Sequence, residues 1–382
     1  MGVLTQEDQR YRYGKMREFM SREGIDAMVC SGEGAIRYIA GHHYNTKWVQ
    51  ALMFRDSEPV ALMALPGREY LLTSVAKYEE DYWVKDSRIN SPETVRDILL
   101  ERVGAAAKVG ITLGDIPAGA YLALQRMLPD MTFVDITASF KKIRRCKTGG
   151  ELELLRLSPA SVDACCAGIP EFLKPGMTEN QFWAYLERIM REAGSPDTLN
   201  QTCVDKKDIS SVLPCWVHSQ RPIEKGDLIA AEITSSAGGY WTQKIATISM
   251  GQPPQVVRDM NAVGSAAVQK AASLVKPGVN ARDVLWVMDE EIEAGGFLSP
   301  RQFLTGPQGH LSGLDVDEGT FELDQDFILE EGMLFVLHPG TAVKGWQPGD
   351  YGIFGPGTMF LVTHDGVESL NQYPNDIIVV DC

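Results

Sequence analysis

The stretch LKPGMTENQFWAYLERIMREAG, residues 173–194, returns 102 residues later as VKPGVNARDVLWVMDEEIEAGG, residues 275–296. In each copy a Lys-Pro-Gly turn leads to a polar cap residue, and apolar residues at helical spacing then run to Ala-Gly. Strand-like segments follow both copies. Two copies are too few for a solenoid. They predict one domain made of two related α+β halves about a pseudo-twofold axis, with a site between the halves.

Upstream, residues 10–25 read as a helix ending at Gly24, and DAMVCSG (26–32) as a short buried strand. WVQALMFR (48–55), PVALMAL (59–65), AKVGITL (107–113) and MTFVDIT (131–137) read as further strands, with helices over 93–107 and 118–128. Strands alternating with helices make an α/β unit of about 140 residues. It has no glycine-rich phosphate loop, so nucleotide binding is not expected. The segment SFKKIRRCKTGGELELLRL (139–157), dense in charge and interrupted by Gly149–Gly150, reads as the boundary. The expected division is a domain over 1–145 and a second over 150–382.

The chain has 382 residues and a formal net charge of −15. An acidic surface argues against nucleic acid as a partner, since phosphate binding needs clustered Lys and Arg. The one basic run, Lys141 to Lys147, reads as a solvated linker. The opening MGVLTQEDQRYRYGKM has no apolar core, so no secretion signal is expected, and no apolar run is long enough to span a bilayer. Seven cysteines without a CxxC pair suggest reduced thiols and a cytoplasmic location.

The polar residues that can carry chemistry lie in the second part. GDLIAAEITSSAGGYWTQKIATISMG (226–251) reads as a β-hairpin. If it is centred between Ala237 and Gly238, Glu232 and Gln243 are direct cross-strand partners with side chains on one face. A carboxylate on a buried strand needs a partner. GPQGHLSGLDVDEG (306–319) supplies His310, Asp317 and Glu318, and GMLFVLHPG (332–340) is a strand ending at His338. Cys215 and His218, just before the hairpin, could pair as thiolate nucleophile and base. Arg221, Lys244 and Arg301 near these segments could receive an anionic substrate.

These segments resemble the creatinase / aminopeptidase P / prolidase family. RYGKMREFMSREGIDAMVCSGEGAIRYIAG (12–41) is similar to its N-terminal opening, and FKKIRRCKTGGELELLR (140–156) to its interdomain entry. RPIEKGDLI, GGYWTQKIAT, GHLSGLDVDE, LEEGMLFVLHPG and LVTHDGVESL follow in the family's order. The resemblance implies an α+β protein: a pita-bread catalytic domain with internal pseudo-twofold symmetry, preceded by a smaller creatinase-type α/β domain. It also implies a homodimer in which His42 or His43 of one subunit's N-terminal domain reaches the other's active site.

The family's metallopeptidases hold two metal ions with Asp, Asp, His, Glu and Glu. At the matching positions this chain carries Glu232, Gln243, His310, His338 and, for the last, Gly357. The family's catalytic His before the hairpin matches Cys215, and its second His near His310 matches Asp317. Two divalent ions side by side need bridging carboxylates to offset their repulsion, and Gln243 cannot bridge. The resemblance therefore implies a metal-independent, creatinase-like hydrolase of a C–N bond in a small non-peptide substrate. Glu232, His310, His338 and Cys215 would be catalytic. His310 and His338 would serve as general acid and base, since imidazole titrates near working pH. Gln243, Tyr240, Asp317, Glu318, His218, His42 and His43 would meet substrate. The alternatives are a mononuclear iron or zinc enzyme on Glu232, His310 and His338, a lyase, an Xaa-Pro peptidase-like metallopeptidase, and an inactive binding module.

Overall fold

A computed structural model describes residues 4–41, 48–64, 83–210, 220–303, 308–322 and 325–382. His42, His43, Cys215 and His218 lie outside the described residues. The chain separates into two compact units, 1–144 with 148–150, and 145–147 with 151–382.

In the first unit, β1 (Ala27–Ser31), β2 (Trp48–Phe54), β3 (Val60–Met63), β4 (Asp86–Ile89), β5 (Lys108–Ile111) and β6 (Thr132–Asp135) form one sheet in the order β4-β3-β2-β1-β5-β6. β2 pairs antiparallel with both neighbours and the other pairs are parallel, so β2 alone runs against the rest. Helices Pro92–Val103 and Ala118–Met127 cover one face, packing Ile98, Leu99 and Leu124 onto Val29, Leu52 and Val109. Local signals set the helix ends. Thr5 and Asp8 form a capping box at the start of helix Gln6–Glu23, and Gly24 closes it at φ 64°.

The second unit contains the repeat. Helices Glu179–Glu192 and Ala281–Ala294 each have 14 residues, capped by Thr178 and by Asn280. Gly176 donates to the Ile223 carbonyl, and its counterpart Gly278 donates to Leu329. Met177 accepts from Ile223, and Val279 accepts from Leu329. Both glycines hold φ above 90°, a conformation open to glycine at no steric cost. Each turn is thus latched to a segment further along its own half that leads into a central strand.

In the first half, β7 (Thr198–Asp205), β8 (Asp208–Ile209), β9 (Leu228–Ala237) and β10 (Tyr240–Met250) follow the helix. In the second half come β11 (Gly309–Leu311), β12 (Gly319–Thr320), β13 (Leu334–Leu337), β14 (Gly340–Ala342), β15 (Gly352–Phe354), β16 (Thr358–Val362), β17 (Val367–Ser369) and β18 (Ile378–Val380). One sheet has the order β18-β10-β9-β7, another β12-β11-β13-β16-β17, and a small one β14-β15-β8. Ile229, Ala231 and Ile233 pack against helices Gly149–Phe172 and Glu179–Glu192. Leu311, Phe335 and Leu337 pack against helices Gln255–Leu274 and Ala281–Ala294. Because side chains alternate along a strand, Glu232 and Thr234 in the first half, and His310, Val336 and His338 in the second, face away from the helices. A backbone bridge from Ile245 to Gly357 joins the two sheets, with Trp241 donating to Gly313 at 2.7 Å.

The basic run is not a solvated linker. Lys147 is buried with its Nζ 2.5 Å from the buried Glu318 Oε2, and Arg144 is buried as well.

Candidate active site

The hairpin turn is only Gly238–Gly239, with Tyr240 opposite Ala237. This moves the register from the one expected. Glu232 lies opposite Ile245, and Gln243 opposite Thr234. The shift is by two residues, so Gln243 keeps the face of Glu232 but sits diagonally to it. On its other side Glu232 meets Gln201 of β7, whose Nε2 donates to Glu232 Oε1 at 3.1 Å. Burial pushes the Glu232 carboxyl up to about 7, partly offset by the nearby Gln243 amide. The carboxyl is therefore near half-ionised at neutral pH.

His310 stands opposite Val336 in the sheet, and the His338 N–H donates to the Gln308 carbonyl. The two imidazole rings are 5.3 Å apart between centroids, and the Phe354 ring lies 5.2 Å from that of His338. His310 Nδ1 donates to the Leu311 carbonyl at 3.1 Å, which leaves Nε2 as an acceptor. Burial lowers the pKa of both rings, that of His338 to about 3, with His310 adding to the effect. This corrects the expected acid–base pair: at neutral pH both are neutral imidazoles, and the group that titrates near 7 is Glu232.

Much hydrogen-bonding capacity here is unused. Among the described residues, both amide atoms of Gln243, both ring nitrogens of His338, Thr234 Oγ1 and Thr247 Oγ1 are buried without a partner. Each such group costs about 1–3 kcal/mol, so this concentration on the helix-free faces marks surface built to meet a polar ligand.

Other expected residues do different work. Tyr240 Oη donates to Glu151 Oε1 at 2.9 Å, and Tyr240 is buried. Glu318 is held by Lys147 and by the Leu314 N–H. Neither side chain has a free face for substrate, which corrects both assignments. Asp317 accepts from Gly319 N and Thr320 Oγ1 and acts on His310 through its charge. The basic residues offered for an anion are occupied or turned away. Arg221 is bonded to Asp227 at 2.8 and 2.9 Å, and Arg301 to Glu293 at 2.7 and 2.6 Å. Lys244 points to the helix side and donates to Asn375 at 2.7 Å. Sequence reasoning missed Gln201, and also Asp289. The latter is a buried carboxylate pushed up to about 6 by burial, with Gln308 Nε2 3.5 Å away.

The metal pair of the metallopeptidases does not fit these residues. Gln243 is neutral, and the surroundings of Glu232 penalise its charge. At Gly357 a Cβ would stand 2.3 Å from Ile245 Cδ1, so a carboxylate side chain could enter that position only by displacing Ile245. Among the described residues no group of three or more His, Cys, Asp or Glu side chains is placed to hold a metal ion. Glu232, His310 and His338 are accordingly not assembled as a mononuclear set.

Two related halves with polar inner faces, preceded by a mixed α/β domain, define a class of hydrolases that cleave C–N bonds. The match to known families is direct. Residues 153–365 match metallopeptidase family M24, and residues 12–146 match the creatinase/prolidase N-terminal domain. The chain belongs to metallopeptidase family M24 and is a hydrolase. It is 24% identical over 346 residues to the Xaa-Pro dipeptidase of Lactobacillus delbrueckii subsp. lactis, covering 87% of this chain and 90% of that one. It is also 24% identical over 400 residues to the ectoine hydrolase of Halomonas elongata, covering 98% of each. The solved structure of dipeptidase PepE from Mycobacterium ulcerans superposes with a TM-score of 0.81 at 23% identity, over 100% of both chains.

Proposed function

We propose that the chain is a metal-independent hydrolase that cleaves a C–N bond of a small, non-peptide substrate. The observation that carries this reading is the position of Glu232, anchored by Gln201 on a face where buried polar atoms of Gln243, His338, Thr234 and Thr247 have no hydrogen-bond partner among the described residues. A compact cation such as an amidinium or a protonated ureide would find there one carboxylate to pair with and neutral donors and acceptors around it. Among the described residues the nearby cations do not compete: Arg221 and Arg301 are paired and Lys244 faces the other way.

In the reaction, the Glu232 carboxylate takes a proton from water as the water oxygen bonds to the electrophilic carbon. The same carboxyl then delivers that proton to the leaving nitrogen as the C–N bond breaks. His310 and His338, both uncharged, orient water and substrate by hydrogen bonds. The proposal includes a cytosolic homodimer. The buried thiols Cys30, Cys165 and Cys166 and the half-buried Cys203 are pushed up by burial and suit a reducing compartment.

The test combines elemental analysis with turnover of amidine, ureido and amide compounds before and after chelation. Turnover of a non-peptide compound that survives chelation, in protein with no stoichiometric metal, is the expected result. Stoichiometric zinc, iron or manganese with activity lost on its removal, or turnover confined to Xaa-Pro dipeptides, would overturn the reading.

A further inference from the structure

The first unit carries a cavity of about 220 Å³ at the carboxyl ends of its parallel strands. Ser31 ends β1, Asn90 follows β4, and Gln50 lies near the start of the reversed strand β2, so all three meet at one end of the sheet. The chain leaves the neighbouring parallel strands β1 and β5 for different layers. The helix after β5 joins the core over Val29 and Val109, while the helix after β1, Glu33–Ala40, does not. Such a switch point opens a crevice in α/β sheets.

The lining is chemically selective. Ser31 is 2% and Gln50 is 5% exposed. Gln50 Nε2 donates to Ser31 Oγ at 3.1 Å, and among the described residues the Gln50 carbonyl oxygen accepts nothing. The Asn90 side-chain amide likewise has no hydrogen-bond partner among the described residues. Val49, Val95 and Leu124 form an apolar wall. Among the described residues no Lys, Arg or His lines the cavity, and the one charged lining side chain, Asp115, is acidic. The described lining therefore offers carboxylates and phosphates no counter-charge.

We infer that this cavity is a second ligand site, independent of the catalytic one, for a small uncharged molecule carrying a carboxamide or ureide group and a short apolar flank. The ligand's N–H groups would meet the carbonyl oxygens of Gln50 and Asn90. Its own carbonyl would accept from the Asn90 amide or the Ser31 hydroxyl. Its alkyl part would lie on Val95 and Leu124.

The test uses the full-length protein labelled at Ile, Leu and Val methyl groups, titrated with propionamide and with the isosteric anion propionate. The expected result is a saturable shift of the Val49, Val95 and Leu124 methyls, with a roughly millimolar Kd for so small a ligand. Propionate should bind about tenfold more weakly or worse. Asn90→Leu should weaken propionamide about tenfold, and Ala120→Leu, which fills the cavity from the Ala118–Met127 helix, should abolish the shift. Glu232→Gln should leave it unchanged, which separates this site from the catalytic one. Absence of a saturable shift, equal binding of propionate, or shifts that persist in Ala120→Leu would each overturn the inference.

Discussion

Glu232 and His338 are shifted in opposite senses by the same cause, and their effects on stability have opposite signs. Folding raises the Glu232 pKa from 4.5 to about 7. Its contribution is fully present below 4.5 and is lost as pH rises through 7, a loss on the order of 3 kcal/mol. Glu232→Gln should therefore unfold later than the parent at pH 8 and equal it at pH 4.5 in urea titrations, while activity falls by about 10² or more. An unchanged turnover would remove Glu232 from catalysis. Folding lowers the His338 pKa from 6.5 to about 3. Neutral His338 contributes above pH 6.5, and the contribution drains away as pH falls toward 3, at a slope of up to about 1.4 kcal/mol per pH unit. His338→Gln should flatten the acid limb of the stability curve, read as Tm from pH 6.5 to 4.5. None of this was legible in the sequence. A histidine at a strand end looks the same whether its ring is wet or buried, and burial comes from Phe354 and other residues that only the fold brings near. Gln201 was hidden for the same reason, since its bond to Glu232 crosses a strand pairing between segments 31 residues apart.

At the scale of elements, the hairpin was legible and its register was not. Ser-Ser-Ala-Gly-Gly allows several centres, and moving the turn to Gly238–Gly239 changed which residue Glu232 opposes. Face membership survived because strand periodicity is two. The bridge between Ile245 and Gly357 has a consequence for attempts to restore the metallopeptidase ligand set. Gly357→Glu should force its side chain onto Ile245 and lower stability by roughly 1–3 kcal/mol or more, measured by denaturant midpoint. Ile245→Ala in the same chain should recover much of the loss. Recovery in the double variant without metal uptake would confirm that steric closure and missing carboxylates are separate obstacles. A wild-type midpoint in Gly357→Glu would show that the joint is looser than these contacts imply.

At the scale of the molecule, the repeat at 173–194 and 275–296 was the most legible feature, because a Lys-Pro-Gly turn and a cap are local signals. The latches they form were not: Ile223-Glu-Lys-Gly and Leu329-Glu-Glu-Gly are alike in the sequence, but that these segments bond back to turns about 50 residues upstream is set by the fold. The equivalence predicts interchange. Thr178→Asn, which copies the cap of the second half, should keep Tm within about 2 °C, whereas Thr178→Ala should cost about 1 kcal/mol. A large drop in Thr178→Asn would mean that the two joints are alike in outline only. If they are interchangeable, the same joint has been inherited twice and is held under the same selection in both places. The strand faces between the joints carry no such burden. A lineage built this way can trade carboxylates for amides and imidazoles on those faces, and so change its chemistry, without having to relearn how to fold.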